Sequence, residues 1–461
     1  MTELLPVMPR YETYKDSGVG WIGKIPAPWE EKRLKFTSRM IVSNVDKIVK
    51  EFETPVKLCN YVDVYKNNYI TNKIPFMEVS ATEEEIIHYK IKINDVLITK
   101  DSEDWLDIGV PALVKHEESR LICGYHLTIL RAHNQIIGEY LFWTLLAQYN
   151  RIQFSLRANG ITRYGISHGA IKNIWLILPC IQEQSIIANF LDYKTEKIDQ
   201  AVAIKEKQIQ LLKERKQILI QTAVTKGLDP NVPMADSGVE WIGQIPAHWE
   251  KTRLKFVSKI QSGLTLGKQY PPGNLSEYPY LRVANVQNGF FNLNDVATIY
   301  LPKNEALKYL LSKHDILVTE GGDIDKLGRG TVWESDIEPC LHQNHIFAIR
   351  IVSSRINCNF IAQFMTTEKV RKYFIDTATK TTNLASTNRT TLGNLTLLIP
   401  PLNEQNKILS HIHTQSAKID KAIDIQAQMI EKLKEYKATL INAAVTGKIK
   451  VPDPAESKVV A

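Results

Sequence analysis

Cysteine is scarce, with five in 461 residues: Cys59, Cys123, Cys180, Cys340 and Cys358. Their number is odd, their spacings are wide, and no C-x-x-C occurs. A disulfide framework or a structural zinc site is therefore not expected, and a reducing, cytoplasmic compartment is. Long apolar runs are missing as well. No stretch approaches the roughly 20 residues that span a bilayer, and "LTLLIPPL" (395–402) is short and broken by two prolines. The opening MTELLPVMPRYETYKDSG has no apolar core after a basic start, so no signal peptide is read there. An excess of one charge is also lacking. Lys and Arg number 57 against 50 Asp and Glu, a net of +7. Tail-driven polycation binding is excluded, while a focused basic surface is not. The 44% apolar and 23% charged residues are ordinary globular usage. The length is about three times a typical domain and implies at least two.

Catalytic signatures are equally sparse. "GLTLGKQ" (263–269) has three residues between its glycines rather than four, and Gln269 stands where a phosphate loop needs Ser or Thr, so it reads as a turn. "HEESR" (116–120) lacks the second His of a zincin. "HQNH" (342–345) and "HIH" (411–413) have no clustered Cys or carboxylates beside them. "QYPPG" (269–273) has neither the order nor the Asn of a methyltransferase Asn-Pro-Pro-aromatic loop. No Ser/His/Asp set stands out.

What is present is a repeat. DSGVGWIGKIPAPWEEKRLKF (16–36) returns as DSGVEWIGQIPAHWEKTRLKF (236–256), with 16 of 21 positions identical. Residues 179–225 and 400–446 match at 19 of 47 positions, from P-x-x-x-EQ through KID to AVT. The stretches between, 37–178 and 257–399, barely match, yet share "NDVLIT" (94–99) with "HDILVT" (314–319), and "IWLILP" (174–179) with "LTLLIP" (395–400). Near-identical frames around divergent inserts suggest one constant partner and two different targets.

Each tail is predicted as a long helix. Ile187, Leu191, Ile198, Val202, Ile209, Leu212, Leu219 and Ala223 follow heptad-like spacing. Ile408, Ile412, Ile419, Ile423, Ile430, Leu433, Leu440 and Ala444 repeat it. Gly227 and Gly447 mark the ends. A lone helix cannot bury such a stripe, so the tails are expected to pair through Ile198, Val202, Ile209, Leu212 and Leu219 against Ile419, Ile423, Ile430, Leu433 and Leu440. The inserts read as α+β, with strands at 278–286, 315–320, 345–352 and 123–132 and helices at 139–156 and 359–375. They carry side chains able to read base edges. In the first insert these are Lys100, Arg157, Asn159, Arg163 and Tyr164. In the second they are Lys268, Arg282, Asn285, Gln287, Asn288, Arg329, Lys380, Asn383, Asn388 and Arg389. The acidic "DSEDWLD" (101–107) is expected to face solvent, with acceptance from cytosine amino groups as the alternative.

The repeated leader resembles that of the DNA specificity subunits of type I restriction–modification systems. The tails resemble that family's two conserved helical regions. "SGLTLGKQ", "YLRVANVQNG" and "DILVTEGGDIDKLGRG" are similar to landmarks of its target-recognition domains. In the first insert the "SGLT" equivalent is "SRMIVSNVDK" (38–47), without the glycine. The resemblance implies an α+β fold: two tandem α/β target-recognition domains joined by two long conserved helices pairing as an antiparallel coiled coil, with a pseudo-twofold internal repeat. The parts would be a leader (1–36), target-recognition domain 1 (37–178), a helical spacer (179–230), the repeated leader (231–256), target-recognition domain 2 (257–399), a second helical region (400–449) and a tail (450–461). Each target-recognition domain would read half of a bipartite double-stranded DNA site. The chain would be noncatalytic and free of cofactor and metal. Two methyltransferase subunits and the restriction/translocase subunits would supply S-adenosylmethionine, ATP and magnesium chemistry. A cryptic DNA enzyme and a coiled-coil scaffold without a DNA role are the alternatives.

Overall fold

The computed structural model describes residues 8–452 except 268–269, 272, 323, 325–326 and 381–384. The chain divides into two compact units, one built from residues up to 206 together with those from 427, the other from 207–426.

In the first unit, Ser38–Val42, Leu127–Ala132, Val96–Thr99, Pro111–Val114 and Tyr69–Ile70 form a five-stranded sheet in that order. Leu121–Cys123, Thr54–Cys59 and Met77–Ala81 form a second sheet. In the second unit, Ser258–Ser262, Ile346–Ile351, Ile316–Thr319 and Gly330–Val332 repeat the first order, and Leu341–His342, Leu275–Leu281 and Ala297–Pro302 repeat the other. The divergent inserts are thus two versions of one fold. The short landmark they share has a physical cause. Asn94 and His314 adopt left-handed backbone, at φ 68° and 73°, and turn the chain into a buried aspartate. Asp95 receives a two-pronged bond from Arg131, at 2.8 and 2.7 Å. Asp315 receives the same from Arg350, also at 2.8 and 2.7 Å. Each carboxylate also accepts a backbone N–H three residues upstream, from Lys92 or Ser312.

The repeated frames close each unit. Glu30–Arg33 pairs with Trp175–Leu178, and Glu250–Arg253 with Thr396–Ile399, so each leader strand lies beside the last strand of its insert. Trp29 Nε1 donates to Glu183 at 3.1 Å, and Trp249 Nε1 donates to Glu404 at 3.1 Å. Gln184 and Gln405 are fully buried. Each donates to the carbonyl of the proline five residues before it and accepts from the backbone of its own insert, at Ile137 or Asn357. Part of the frame's near-identity therefore has an internal cause, in contacts made alike in both units.

The long helices run unbroken over Ile181–Lys226 and Leu402–Val445. In the first unit Ile187, Leu191 and Ile198 pack in one core with Leu440 and Ala444. In the second, Ile220, Ala223 and Val224 share a core with Ile408 and Ile412. Lys437 bonds Asp199 and Lys216 bonds Asp420, both at 2.7 Å, so the helices run antiparallel. Of the predicted seam, Ile198, Ile419, Ile430 and Leu440 are buried. Val202, Ile209, Leu212, Leu219, Ile423 and Leu433 are half-buried. Gly227 follows the first helix at φ 78°, and Gly447 lies just past the second at φ 67°, the conformation that ends helices on glycine.

Two expectations need correction. Residues 139–156 form two helices, Gly138–Leu146 and Gln148–Ser155, because Ala147 takes extended ψ. Residues 359–375 likewise lie in two, Cys358–Met365 and Glu368–Thr377, with Thr367 capping the second. Among the described residues no helix is long and apolar enough to cross a membrane.

His342 lies wholly inside the second unit. Burial pushes its imidazole down to about 4, against backbone contacts at Gln261 and Tyr309 that act the other way. Unfolded, the ring titrates near 6.5. The unfolded chain therefore binds the extra proton first, and the contribution present above about pH 6.5 is lost as pH falls toward 4, on the order of 3 kcal/mol in all. His342→Phe should flatten the fall in unfolding free energy across this window, measured by urea titration. Equal slopes in both proteins would refute that assignment.

Candidate nucleic-acid interface

The five candidates of the first insert converge. Asp101–Ser102, Tyr164–Ile166 and Ala158–Asn159 form a small sheet with Tyr164–Ile166 in the middle. The hairpin joining its last two strands is tight. A Cβ on Gly160 (φ 145°) would sit 2.1 Å from the Arg163 carbonyl, which only glycine permits. At its tip Ile161 is 92% exposed. Arg163 Nη2 reaches Asp101 at 2.8 Å. His126 Nδ1 holds the other oxygen of Asp101 at 2.5 Å. Asn159 Nδ2 bonds the Arg157 carbonyl at 3.1 Å, and Arg157 Nη1 bonds the Gln153 carbonyl at 3.0 Å. Lys100 anchors the sheet through its backbone, to His126 and Ile166. Burial shifts its ammonium downward.

Of the acidic stretch, Glu103, Asp104, Trp105 and Leu106 are exposed as expected, and Asp101 and Asp107 are half-buried. Asp101 is pinned as above, Asp104 accepts from Leu106 N, and Asp107 is bonded by Arg151 at 2.8 Å and by the Tyr65 hydroxyl. Two of its four acids, Asp101 and Asp107, are thus paired with arginine, while Trp105 and Leu106 are exposed.

The second unit has the counterpart sheet, Gly321–Gly322, Ala385–Ser386 and Thr379–Lys380. His345 Nδ1 and Glu320 meet at 2.7 Å, as His126 and Asp101 do in the first. These carboxylate–histidine pairs were missed by sequence reasoning. The signal was a His at the start of each "HLTILRA" and "HIFAIRI" strand, facing an acid one or two residues after "LVT" or "LIT". Of the second-insert candidates, exposed Lys380 lies on this sheet. Asn388 caps the short helix Arg389–Asn394, accepting from Thr391 N at 2.9 Å, and Arg389 is exposed. Arg282 is tied to Asp295 at 2.7 Å. Asn285 is a correction. It is 3% exposed, and both ends of its amide are used inside the loop, by Arg282 N and by the carbonyls of Asn292 and Asp295. It shapes that loop and presents nothing to a base. Gln287 donates to the Ala284 carbonyl. Asn288 is exposed, beside Gly289, whose N–H donates to the Gly330 carbonyl next to Arg329. Lys268 and Asn383 lie outside the described residues.

The glycine of "SGLT" also finds its reason. A Cβ on Gly263 would lie 2.2 Å from the His342 carbonyl. At the matching place Ser43 donates its hydroxyl to the Cys123 carbonyl. The first insert manages without glycine because the serine bonds the strand it crosses. Among the described residues no group of three or more His, Cys, Asp and Glu is placed to hold a metal ion.

Two copies of one scaffold, each edged by its own set of polar side chains on a small pinned sheet, make this an internally duplicated protein. A family model for the type I restriction modification DNA specificity domain matches residues 42–214 and 246–435, and the chain belongs to that family. It is 24% identical over 441 residues to the type I restriction enzyme MjaVIII specificity subunit of Methanocaldococcus jannaschii, covering 93% of this chain and 94% of that one. The StySPI specificity subunit of Salmonella potsdam is 24% identical over 406 residues, covering 86% and 84%. A chain solved in work on assembly and conformational transition of the type I R-M system superposes with a TM-score of 0.67 at 17% identity, covering 92% of this chain and 99% of that one. The HsdS subunit from Thermoanaerobacter tengcongensis gives 0.53 at 15% identity, covering 92% and 98%.

Proposed function

We propose that this chain is the noncatalytic specificity subunit of a type I restriction–modification complex, and that each insert reads one half of a bipartite double-stranded DNA site. The observation that carries the reading is the small sheet present in both units. Its frame is the same, with a carboxylate–histidine pair behind it, while the side chains at its edge differ: Arg157, Asn159, Arg163 and Tyr164 in one, Lys380 with Asn388 and Arg389 nearby in the other. A constant frame with changed polar edges is what two different half-sites require, since Arg and Asn discriminate bases by two-pronged bonds. The paired helices set the spacing of the halves and dock two methyltransferase subunits, with restriction/translocase subunits joining that core. S-adenosylmethionine, ATP and magnesium belong to those partners, which carry out adenine methylation and cleavage. The relatives named above are called specificity subunits of type I restriction enzymes, which agrees.

Mapping N6-methyladenine in the source genome, with and without this gene, tests the reading. A bipartite motif should vanish on deletion. Exchanging residues 37–178 for another first insert should change one half of that motif and leave the other intact. If both halves change, or neither does, the inserts are not independent readers.

A further inference from the structure

Beside the end of the second leader lies an open cleft of about 870 Å³, with Lys255, Lys259, Lys308 and Arg389 on its walls. The remaining lining is Ser, Gln, Thr, Asn and Gly, with Ile260 the one aliphatic residue. No carboxylate lines it among the described residues. Lys308 is paired with Glu305 at 2.7 Å. Lys255, Lys259 and Arg389 are exposed and make no ion pair among the described residues. Lys255 is aimed rather than loose. Its Nζ donates to Asn394 Oδ1 at 2.9 Å and sits 5.3 Å from the centre of the Phe256 ring. Arg389 opens the short helix that packs against Leu254–Val257.

We propose that this cleft grips the DNA phosphodiester backbone and supplies sequence-independent affinity to the second unit. The inference rests on the DNA-recognition reading above and goes beyond it, since it assigns phosphate contact to a cleft where the repeated frame, at Lys255, meets the start of the insert, at Lys259. Three unpaired cations around one concavity repel each other unless an anion joins them. The lining lacks the apolar and aromatic anchors that form the centre of a protein–protein contact. The first unit builds a like surface from the same parts of the repeat. Lys35 stands 5.0 Å over the Phe36 ring. Arg33 bonds Asn173 at 2.7 Å, where Lys255 bonds Asn394. The exposed cations Lys35, Arg39 and Lys172 are likewise outside any ion pair among the described residues. Phosphate is the part of DNA that does not change from one site to the next. A phosphate contact thus asks only for a cation at the place, met by Lys255 and Lys259 here and by Lys35 and Arg39 in the first unit.

The test is a double variant, Lys255→Gln and Lys259→Gln, in the complex purified through a tag on this chain. Its thermal unfolding serves as the control for folding. Binding to a duplex carrying the mapped motif, and to a scrambled one, is measured between about 50 and 200 mM salt. Both affinities should fall by the same factor, on the order of tenfold near the upper salt. The log–log salt slope should become shallower by about 2, roughly one per lost cation. The ratio of specific to nonspecific binding should be unchanged. An unchanged slope, or a ratio that collapses, overturns the assignment. Loss of the co-purifying subunits with the slope intact also overturns it and makes the cleft a protein dock. If the parent complex does not distinguish the two duplexes, the recognition reading itself fails and this proposal with it. A discriminating parent with an unaltered variant slope defeats the cleft alone.

Discussion

Asp95→Ala is expected to destabilise the first unit by about 2–4 kcal/mol, measured as a shift in the urea midpoint for that unit. Asp95 is 1% exposed. It takes both prongs of Arg131 and also holds the turn at Lys92. Its removal leaves the guanidinium with the Lys90 carbonyl as its remaining bond. Loss of one partner from a fully buried pair costs more, about 3–5 kcal/mol, but the Arg131 side chain is 26% exposed and water recovers part of that. The pair joins strand Val96–Thr99 to strand Leu127–Ala132, next to the small sheet that carries Asp101. The variant should therefore also loosen the Arg163–Asp101 edge, read as faster amide exchange at Tyr164–Ile166. A loss under about 1 kcal/mol would mean the ion pair is a bystander to a fold held by its apolar core.

The second large effect concerns the long helices. Four residues inserted after Ile204 add about 6 Å of helix and rotate everything beyond by about 40° net, since four residues exceed one turn of 3.6. The opposing helix is not lengthened. The Lys437–Asp199 contact lies before the insertion and the Lys216–Asp420 contact beyond it, so one register cannot satisfy both. If the helices set the spacing, the gap in the methylated motif should grow by about two base pairs, at roughly 3.4 Å each, or methylation should stop because assembly fails. Normal methylation at the original gap would show that the ruler lies elsewhere. Genome-wide adenine methylation in the insertion strain decides between these.

The helices were legible in the sequence because heptad spacing is a one-dimensional signal, and their ends because glycine alone readily takes the left-handed turn. The duplication was legible from identity. Its cause was not. Trp29 with Glu183, and Gln184 with the Ile137 backbone, join positions 154 and 47 residues apart, and nothing local announces such partners. The inserts were harder still. Their strands were found approximately, but 139–156 and 359–375 each appeared as one helix. Ala147 is a good helix former whose extended ψ is imposed by its surroundings, and Thr367 turned out to be a cap where an interior residue was expected. Among candidate contacts, Arg157, Asn159, Arg163 and Tyr164 fall together at one hairpin because they are neighbours in sequence. Residue type failed for Asn285, because an asparagine that organises its own loop has the same letter as one that faces a base.

The structure also changes what the ends of the chain mean. Lys450 N–H donates to the Pro9 carbonyl at 2.7 Å, and the Tyr14 hydroxyl donates to the Gly447 carbonyl at 3.1 Å. Residues 447–450 thus meet residues 9–14 much as the continuous stretch from Gly227 leads into Met234–Asp236 in the other half. The order of segments in the gene is then a convention of transcription more than a feature of the folded object. A ribosome finishes the second half before the first half receives its closing helix, so the first unit is completed last although it is begun first. The second unit, drawn from one uninterrupted run, can fold as it emerges, whereas the first keeps an open seam until the residues from 427 onward have been made.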